Sequence, residues 1–214
     1  LTEYCDYDRE DLELEMLYLD DENTPEKIYK KLLQFIEKAS SEDTVLFYFA
    51  GHGMKIGMQG FLILPNTSKN DVCNTALELK KLNEIMLGKK CNCFMILDAC
   101  HSGTLSRGEM SDLFIENLID KSCVTLASCS ENECSYPDEK REQGVFTYYL
   151  AEAIKNTTIG QKIFLDELKS QIYENMKEWC LENYKQQTPT LVGTIVGKPS
   201  IATRNTKIYE YAPI

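Results

Sequence analysis

The sequence predicts an α/β fold, a three-layer sandwich with a mostly parallel central sheet. Three observations lead there. Short, wholly apolar runs rich in β-formers recur along the chain, as expected of strands covered on both faces. Amphipathic stretches with helical spacing alternate with those runs, the pattern of crossover connections. No repeat, low-complexity tract or long linker interrupts the alternation in 214 residues. A single domain over 1–214 is therefore expected, with residues 1–11 and 202–214 peripheral.

Residues 13–19 alternate and then run apolar, which suggests a strand. Asn23-Thr24-Pro25-Glu26 starts a helix: Thr24 can cap it, and Pro25 suits the first helical position. Ile28, Leu32, Leu33, Phe35 and Ile36 give that helix, residues 25–39, one apolar face. Residues 44–49 form an apolar strand that runs into Gly51-His52-Gly53, and 60–64 a short strand closed by Pro65-Asn66. Residues 78–88 read as a helix with Leu79, Leu82, Ile85 and Met86 inward. Residues 92–97 form another buried strand, ending in Asp98-Ala99-Cys100-His101-Ser102-Gly103, and 122–127 a further one before a polar loop, 128–143. Helices follow at 144–156 and 164–183, with a last strand near 190–201.

Charge and cysteine content narrow the function classes. With 34 acidic and 23 basic residues the net charge is −11. That balance argues against nucleic acid or an anionic membrane as partner, since both select basic surfaces. No apolar run approaches the roughly 20 residues of a membrane span, and no signal peptide is visible. Nine Cys, odd in number and irregular in spacing, fit a reduced, cytoplasmic chain better than a secreted disulfide scaffold. Cys91-x-Cys93 lacks a second ligand pair for zinc, the chain having only two His.

In an open parallel sheet, ligands bind outside the carboxyl ends of the strands. Parallel neighbours would bring His52 and Cys100 to one such edge. A thiol near an imidazole is the minimal nucleophilic pair: the thiolate attacks, and the imidazole takes its proton. The N–H groups of Gly53 and Cys100 could form an oxyanion hole. His101 is the rival base, but neighbours on an extended segment point apart, so it is read as shaping the loop.

Phe47-Tyr-Phe-Ala-Gly-His-Gly53, Ile96-Leu-Asp-Ala-Cys-His-Ser-Gly103 and Gly144-Val-Phe-Thr-Tyr-Tyr-Leu150 resemble the motifs of the caspase-like cysteine peptidases. His52 and Cys100 lie 48 residues apart, and the caspase signature puts its His about 50 residues before its Cys. The likeness spans roughly residues 12–200, and the Asp-x-Cys-His-Ser-Gly form is closer to metacaspases and bacterial relatives than to animal caspases. It implies the caspase–hemoglobinase fold and endopeptidase activity through a Cys–His dyad and a thioester intermediate. The alternative is a non-catalytic or conditionally active scaffold of the same fold that binds protein partners. A redox-sensing protein is disfavoured, for want of a C-x-x-C motif and an evident resolving partner for Cys100.

Animal caspases carry Gln two residues before the nucleophile and basic residues for an aspartate at P1. Here Asp98 replaces the Gln, and Pro137 stands where an Arg would be expected. An acidic floor attracts a cationic P1 side chain, so cleavage after Arg or Lys is expected, as the metacaspase resemblance also implies. Ser128, Cys129 and Tyr136 are further pocket candidates from their place in the loop. Arg107, Lys140 and Arg141, in predicted loops, are candidate sites of autocatalytic processing of a zymogen. No cofactor is required. Calcium is allowed by the metacaspase resemblance, with Asp20-Asp21-Glu22 and Asp138-Glu139 as oxygen clusters, though neither has the spacing of a defined calcium loop. The family fold begins with a central strand and helix that residues 1–11 do not supply. That first strand is expected from an upstream segment or a second chain.

Overall fold

The structure, a computed structural model, describes residues 4–6, 23–87, 89–100, 121–130 and 132–205. The strand expected at 13–19 lies outside them, as do His101, Arg107 and the acidic cluster at 20–22.

Helix α1, Pro25–Lys38, starts as its sequence dictates. Thr24 Oγ1 accepts the Lys27 N–H at 3.4 Å, and Pro25 occupies the first turn, where a missing N–H is harmless. Strand β1, Thr44–Ala50, lies parallel to β5, Asn92–Asp98, with Ala50 opposite Asp98. β5 lies parallel to β6, Cys123–Ala127, with Cys93 opposite Cys123. β10, Thr190–Thr194, closes the far side antiparallel to β6, giving the order β1-β5-β6-β10. Three of the four strands are thus parallel, as the apolar runs require.

β5 shows why those runs are continuous. Cys93, Met95 and Leu97 face α1 and α3 (Leu79–Met86). Phe94 and Ile96 face the opposite helix layer. That layer is α4, Val145–Asn156, and α5, Leu165–Glu182, numbered here among the described residues. Successive side chains of a strand point to opposite faces, so burial on both faces leaves no polar position between them. Each such side chain contributes roughly 1.5–3 kcal/mol when fully buried.

Small elements frame this sandwich. A three-stranded antiparallel sheet follows β1: β2 (Gly53–Ile56), β3 (Gln59–Leu62) and β4 (Leu77–Glu78). The β2–β3 turn is Gly57-Met58, with Gly57 in the left-handed region that tight hairpin turns demand. A single-turn helix α2, Val72–Thr75, precedes β4. The expected loop 128–143 contains a hairpin, β7 (Pro137–Asp138) with β8 (Gln143–Gly144).

Two expectations need correction. The last strand is two strands: β10, and β11 (Ser200–Thr203), which pairs antiparallel with β9 (Lys162–Phe164) in a separate sheet. Gly197, in the left-handed region, and Pro199, with no N–H to donate, break the run between them. The chain ends are also less peripheral than expected. Cys5 is buried with the α4–α5 core and bridges Arg204, and Asn205 N–H donates to the Tyr4 carbonyl at 2.8 Å.

Candidate active site

The ends of β1 and β5 run on side by side. The Gly51 N–H donates to the Asp98 carbonyl at 3.0 Å, which carries the pairing one residue past the strand. Two residues on, a Cβ at Gly53 would overlap the carbonyl oxygen of Cys100. Only glycine allows that approach, and it fixes the backbone of residues 51–53 against that of 98–100. The His52 carbonyl accepts the Ile63 N–H at 2.8 Å, tying the segment to the small sheet, while the His52 residue itself is exposed. Cys100 is half-buried; its thiol donates to the Ser135 carbonyl at 3.6 Å, and after burial its proximity helps to push the Cys134 thiol up.

Asp98, only 6% exposed, is the hub of the site. Its Oδ1 accepts a short hydrogen bond from the Ser135 hydroxyl. Its Oδ2 accepts from the Thr147 N–H at 3.2 Å and the Thr147 hydroxyl at 2.5 Å. Thr147 is the third residue of α4, whose N-cap, Gly144, has no side chain to offer. A carboxylate from β5 therefore caps the helix from outside, where the orphan N–H groups and the helix dipole favour negative charge. Gly144 is required there, because a Cβ would overlap Asp98 Oδ2. Tyr48 on β1 completes the layer through a 2.8 Å hydrogen bond to the Thr147 hydroxyl.

The loop carrying Cys134 and Ser135 is held by two buried or half-buried polar side chains. Gln187 Nε2 donates to the Ser128 carbonyl and to the Ser135 hydroxyl, both at 3.1 Å, and its Oε1 accepts the Tyr136 N–H at 3.1 Å. Glu133 accepts from the Ser130 N–H at 3.2 Å, the Thr188 N–H at 2.7 Å and the Thr188 hydroxyl at 3.0 Å. Burial pushes the Glu133 carboxyl up, but these hydrogen bonds outweigh it and hold it below the usual carboxylate range.

The remaining sequence candidates divide. Ser128 and Cys129 are both 0% exposed and so cannot line a substrate pocket. They buttress the nucleophile loop instead. Ser128 Oγ accepts the Ala99 N–H at 3.2 Å and donates to the Ala99 carbonyl at 3.3 Å, and the Cys129 thiol lies 3.4 Å from the Ala99 and Glu133 carbonyls. Tyr136 is half-buried, packed on Trp179 with Lys185 over its ring at 4.9 Å. Its position supports the loop backbone. Lys140 and Arg141 occupy the tip of the β7–β8 hairpin rather than an extended loop. Arg141 is ion-paired with Asp138 and lies 4.3 Å from the Tyr148 ring. A pinned hairpin tip does not offer the extended backbone that a peptidase cleft needs, which counts against both as processing sites. Asp138 does not fit a calcium site either: its oxygens are taken by Arg141, the Lys140 N–H at 3.0 Å and the Trp179 indole at 3.1 Å. Among the described residues, no group of three or more His, Cys, Asp or Glu could hold a metal.

Sequence reasoning missed Ser135, Thr147 and Gln187. Thr147 lies inside the Gly144–Leu150 motif, and Ser135 inside the loop already singled out. Gln187 is a lone polar residue in a polar stretch and carries no signal of its own.

No helix among the described residues is long and apolar enough to cross a membrane. No curated protein matches the chain significantly. Among solved structures it is similar to Caspase-1 from Spodoptera frugiperda, with a TM-score of 0.58 at 16% identity, covering 85% of this chain and 72% of that one. It is also similar to protein GSU0716 from Geobacter sulfurreducens, with a TM-score of 0.57 at 15% identity, covering 85% and 77%. At these identities the likeness shows the fold, and it agrees with the mostly parallel sheet. The family described as Caspase domain matches residues 4–198, so the chain belongs to the caspase-domain family and carries its cysteine-protease fold.

Proposed function

We infer that this chain is a cysteine endopeptidase acting through Cys100 and His52 and cutting after Arg or Lys. The observation that carries the reading is the close run of residues 51–53 along 98–100, with a buried carboxylate two residues before the thiol. In the reaction the Cys100 thiolate attacks the scissile carbonyl, and His52 accepts the thiol proton and returns it to the leaving amine. The N–H groups of Gly53 and Cys100 stabilise the tetrahedral oxyanion. Water then attacks the thioester, with His52 as base, and frees the Cys100 thiol. The dyad needs no cofactor.

The basic P1 preference follows from Asp98. A carboxylate offers about four acceptor sites, and three are occupied here. A guanidinium or ammonium group can use the fourth or displace the Ser135 hydroxyl, whereas an anionic P1 would meet like charge in a low-dielectric pocket. A further strand beside the outer edge of β1, from an upstream segment or a second chain, belongs to this reading. So do a reducing, cytoplasmic setting for the nine free thiols and activation by processing or a partner.

One observation supports conditional activity. The Cys100 thiol donates to the Ser135 carbonyl, so the nucleophile must leave that contact to attack. Two measurements test the set. A peptide-reporter panel should show Arg or Lys preferred at P1, and preference for Asp would overturn the specificity. A thiol-reactive arginyl peptide should form an adduct at Cys100; its absence with and without candidate partners would leave the scaffold reading.

A further inference from the structure

Cys134 lies outside the reaction just described, yet it directly precedes the residue the nucleophile touches, and its thiol interacts with that of Cys100, which, after burial, helps to hold the Cys134 proton. The Cys100 thiol donates to the carbonyl of that residue, Ser135, at 3.6 Å, so it rests against the 135–136 peptide, one residue beyond Cys134. Both cysteines are partly exposed, within reach of small oxidants. The loop is not free to carry Cys134 away: Glu133 holds it on one side, and Gln187 holds Ser135 and Tyr136 on the other. The third thiol nearby, Cys129, is 0% exposed and sits against the Ala99 and Glu133 carbonyls. An oxidised nucleophile would therefore meet one accessible thiol first.

We propose that Cys134 is the resolving cysteine of Cys100, so that oxidation by hydrogen peroxide or an organic hydroperoxide ends in a Cys100–Cys134 disulfide. The Cys100 thiolate attacks the peroxide O–O bond, a sulfur–oxygen bond forms, and hydroxide or alkoxide leaves. The Cys134 thiolate then attacks the Cys100 sulfenic sulfur, the sulfur–oxygen bond breaks, and hydroxide leaves. Two thiols and one peroxide become one disulfide and two waters, or one water and one alcohol. The disulfide removes the nucleophile and is reversible by thiols. Without Cys134 the sulfenic acid can proceed to sulfinic acid, which thiols do not reverse. The disulfide rests on the two thiols alone; its effect on activity rests on the peptidase reading above.

The test oxidises the full chain with equimolar hydrogen peroxide, blocks free thiols and maps linked peptides by tandem mass spectrometry. Trypsin releases residues 91–107 and 122–140, so the expected product is these two peptides joined, roughly 2 Da below their sum, with fragment ions locating the bond at Cys100 and Cys134. The link should vanish in Cys134→Ser and persist in Cys129→Ser. After dithiothreitol, Cys134→Ser should recover about tenfold less of its own starting activity than the unaltered chain. A bond located at Cys129, or no bond while Cys100 becomes sulfinic in the unaltered chain, would overturn the proposal. The fragment map needs neither the variant nor activity. A chain that forms the disulfide but takes no arginyl-peptide adduct at Cys100, with and without candidate partners, would refute the peptidase reading and leave the thiol pair standing.

Discussion

The paired strands β5 and β6 carry thiols at both ends. Where they begin, Cys91 and Cys93 lie with their sulfurs 3.8 Å apart, and Cys123 donates to Asn83 Oδ1 at 3.7 Å; all three cysteines are buried. Burial, then the neighbouring Cys91 and Cys123, push the Cys93 thiol far up, and burial pushes Cys123 up to about 12. Where the strands end, Cys100 and Cys134 are partly exposed, with the Cys100 thiol on the Ser135 carbonyl and Cys129 buried nearby. The residue type is the same and the strands are the same. What differs is the end of the sheet. The starting end is sealed by α1 and α3, while the carboxyl end opens into loops, where parallel sheets put their chemistry. A cysteine count therefore says little until each thiol is placed along its strand.

The largest expected effect breaks the comparison directly. Cys100→Ala should lower kcat/KM on an arginyl reporter peptide at least about 10³-fold. Cys93→Ala at the sealed end should leave kcat/KM within about twofold and cost about 1 kcal/mol of stability in urea denaturation, because it leaves only a small cavity. Equal losses of activity in the two variants would abolish the distinction between the ends.

Next comes Gly53→Ala. Its methyl group would push the Cys100 backbone out of register with His52, and a displacement of about 1 Å at a reacting group costs about 10²-fold. The expected reading is that loss in kcat/KM together with a lower thermal midpoint, since the added methyl group meets backbone that is partly buried. Asp98→Asn follows, with about 1–3 kcal/mol of stability lost in urea, as the buried carboxylate's charge-assisted bonds to Thr147 become neutral ones. The same variant should narrow the preference for Arg over neutral P1 residues in the reporter panel.

The smallest effect concerns the sealed end and pH. Cys123 binds its proton more tightly folded, at about 12 against an ordinary 9.0, so its contribution is full below pH 9 and is lost as pH rises toward 12. Cys93 shifts in the same direction. The urea midpoint should fall between pH 9 and 10, and Cys123→Ala should flatten that slope. Tyr29, raised to about 12 mainly by burial, adds its own fall only above its ordinary 10.0.

How far these regions were legible depends on the range of the forces involved. β5 and β6 announced themselves through unbroken apolar runs, and α1 through Thr24-Pro25, because burial on two faces and helix capping both write themselves locally. β2, β9 and β11 are three or four residues long and paired at the margin, so no periodicity identifies them. In the site, Gly51-His52-Gly53 and the segment ending at Cys100 were visible as strand ends with unusual chemistry. The partners of Asp98 were not: Ser135 and Thr147 lie 37 and 49 residues away, joined to it only by folding. Position after a strand suggested that Ser128 and Cys129 face a ligand, but the chain turns inward there and the two side chains support the backbone of Ala99.

Asp98 holds the end of β5, the loop at Ser135 and the first turn of α4 with a single side chain. A ligand that draws on this carboxylate must also act on whatever else it holds. Occupancy of the pocket and the firmness of the α4 N-terminus are then linked quantities, each biasing the other by the same free energy. The Thr147 amide is the natural reporter of that linkage. Its exchange with solvent deuterium measures, from inside the protein, how much of Asp98 the substrate has claimed.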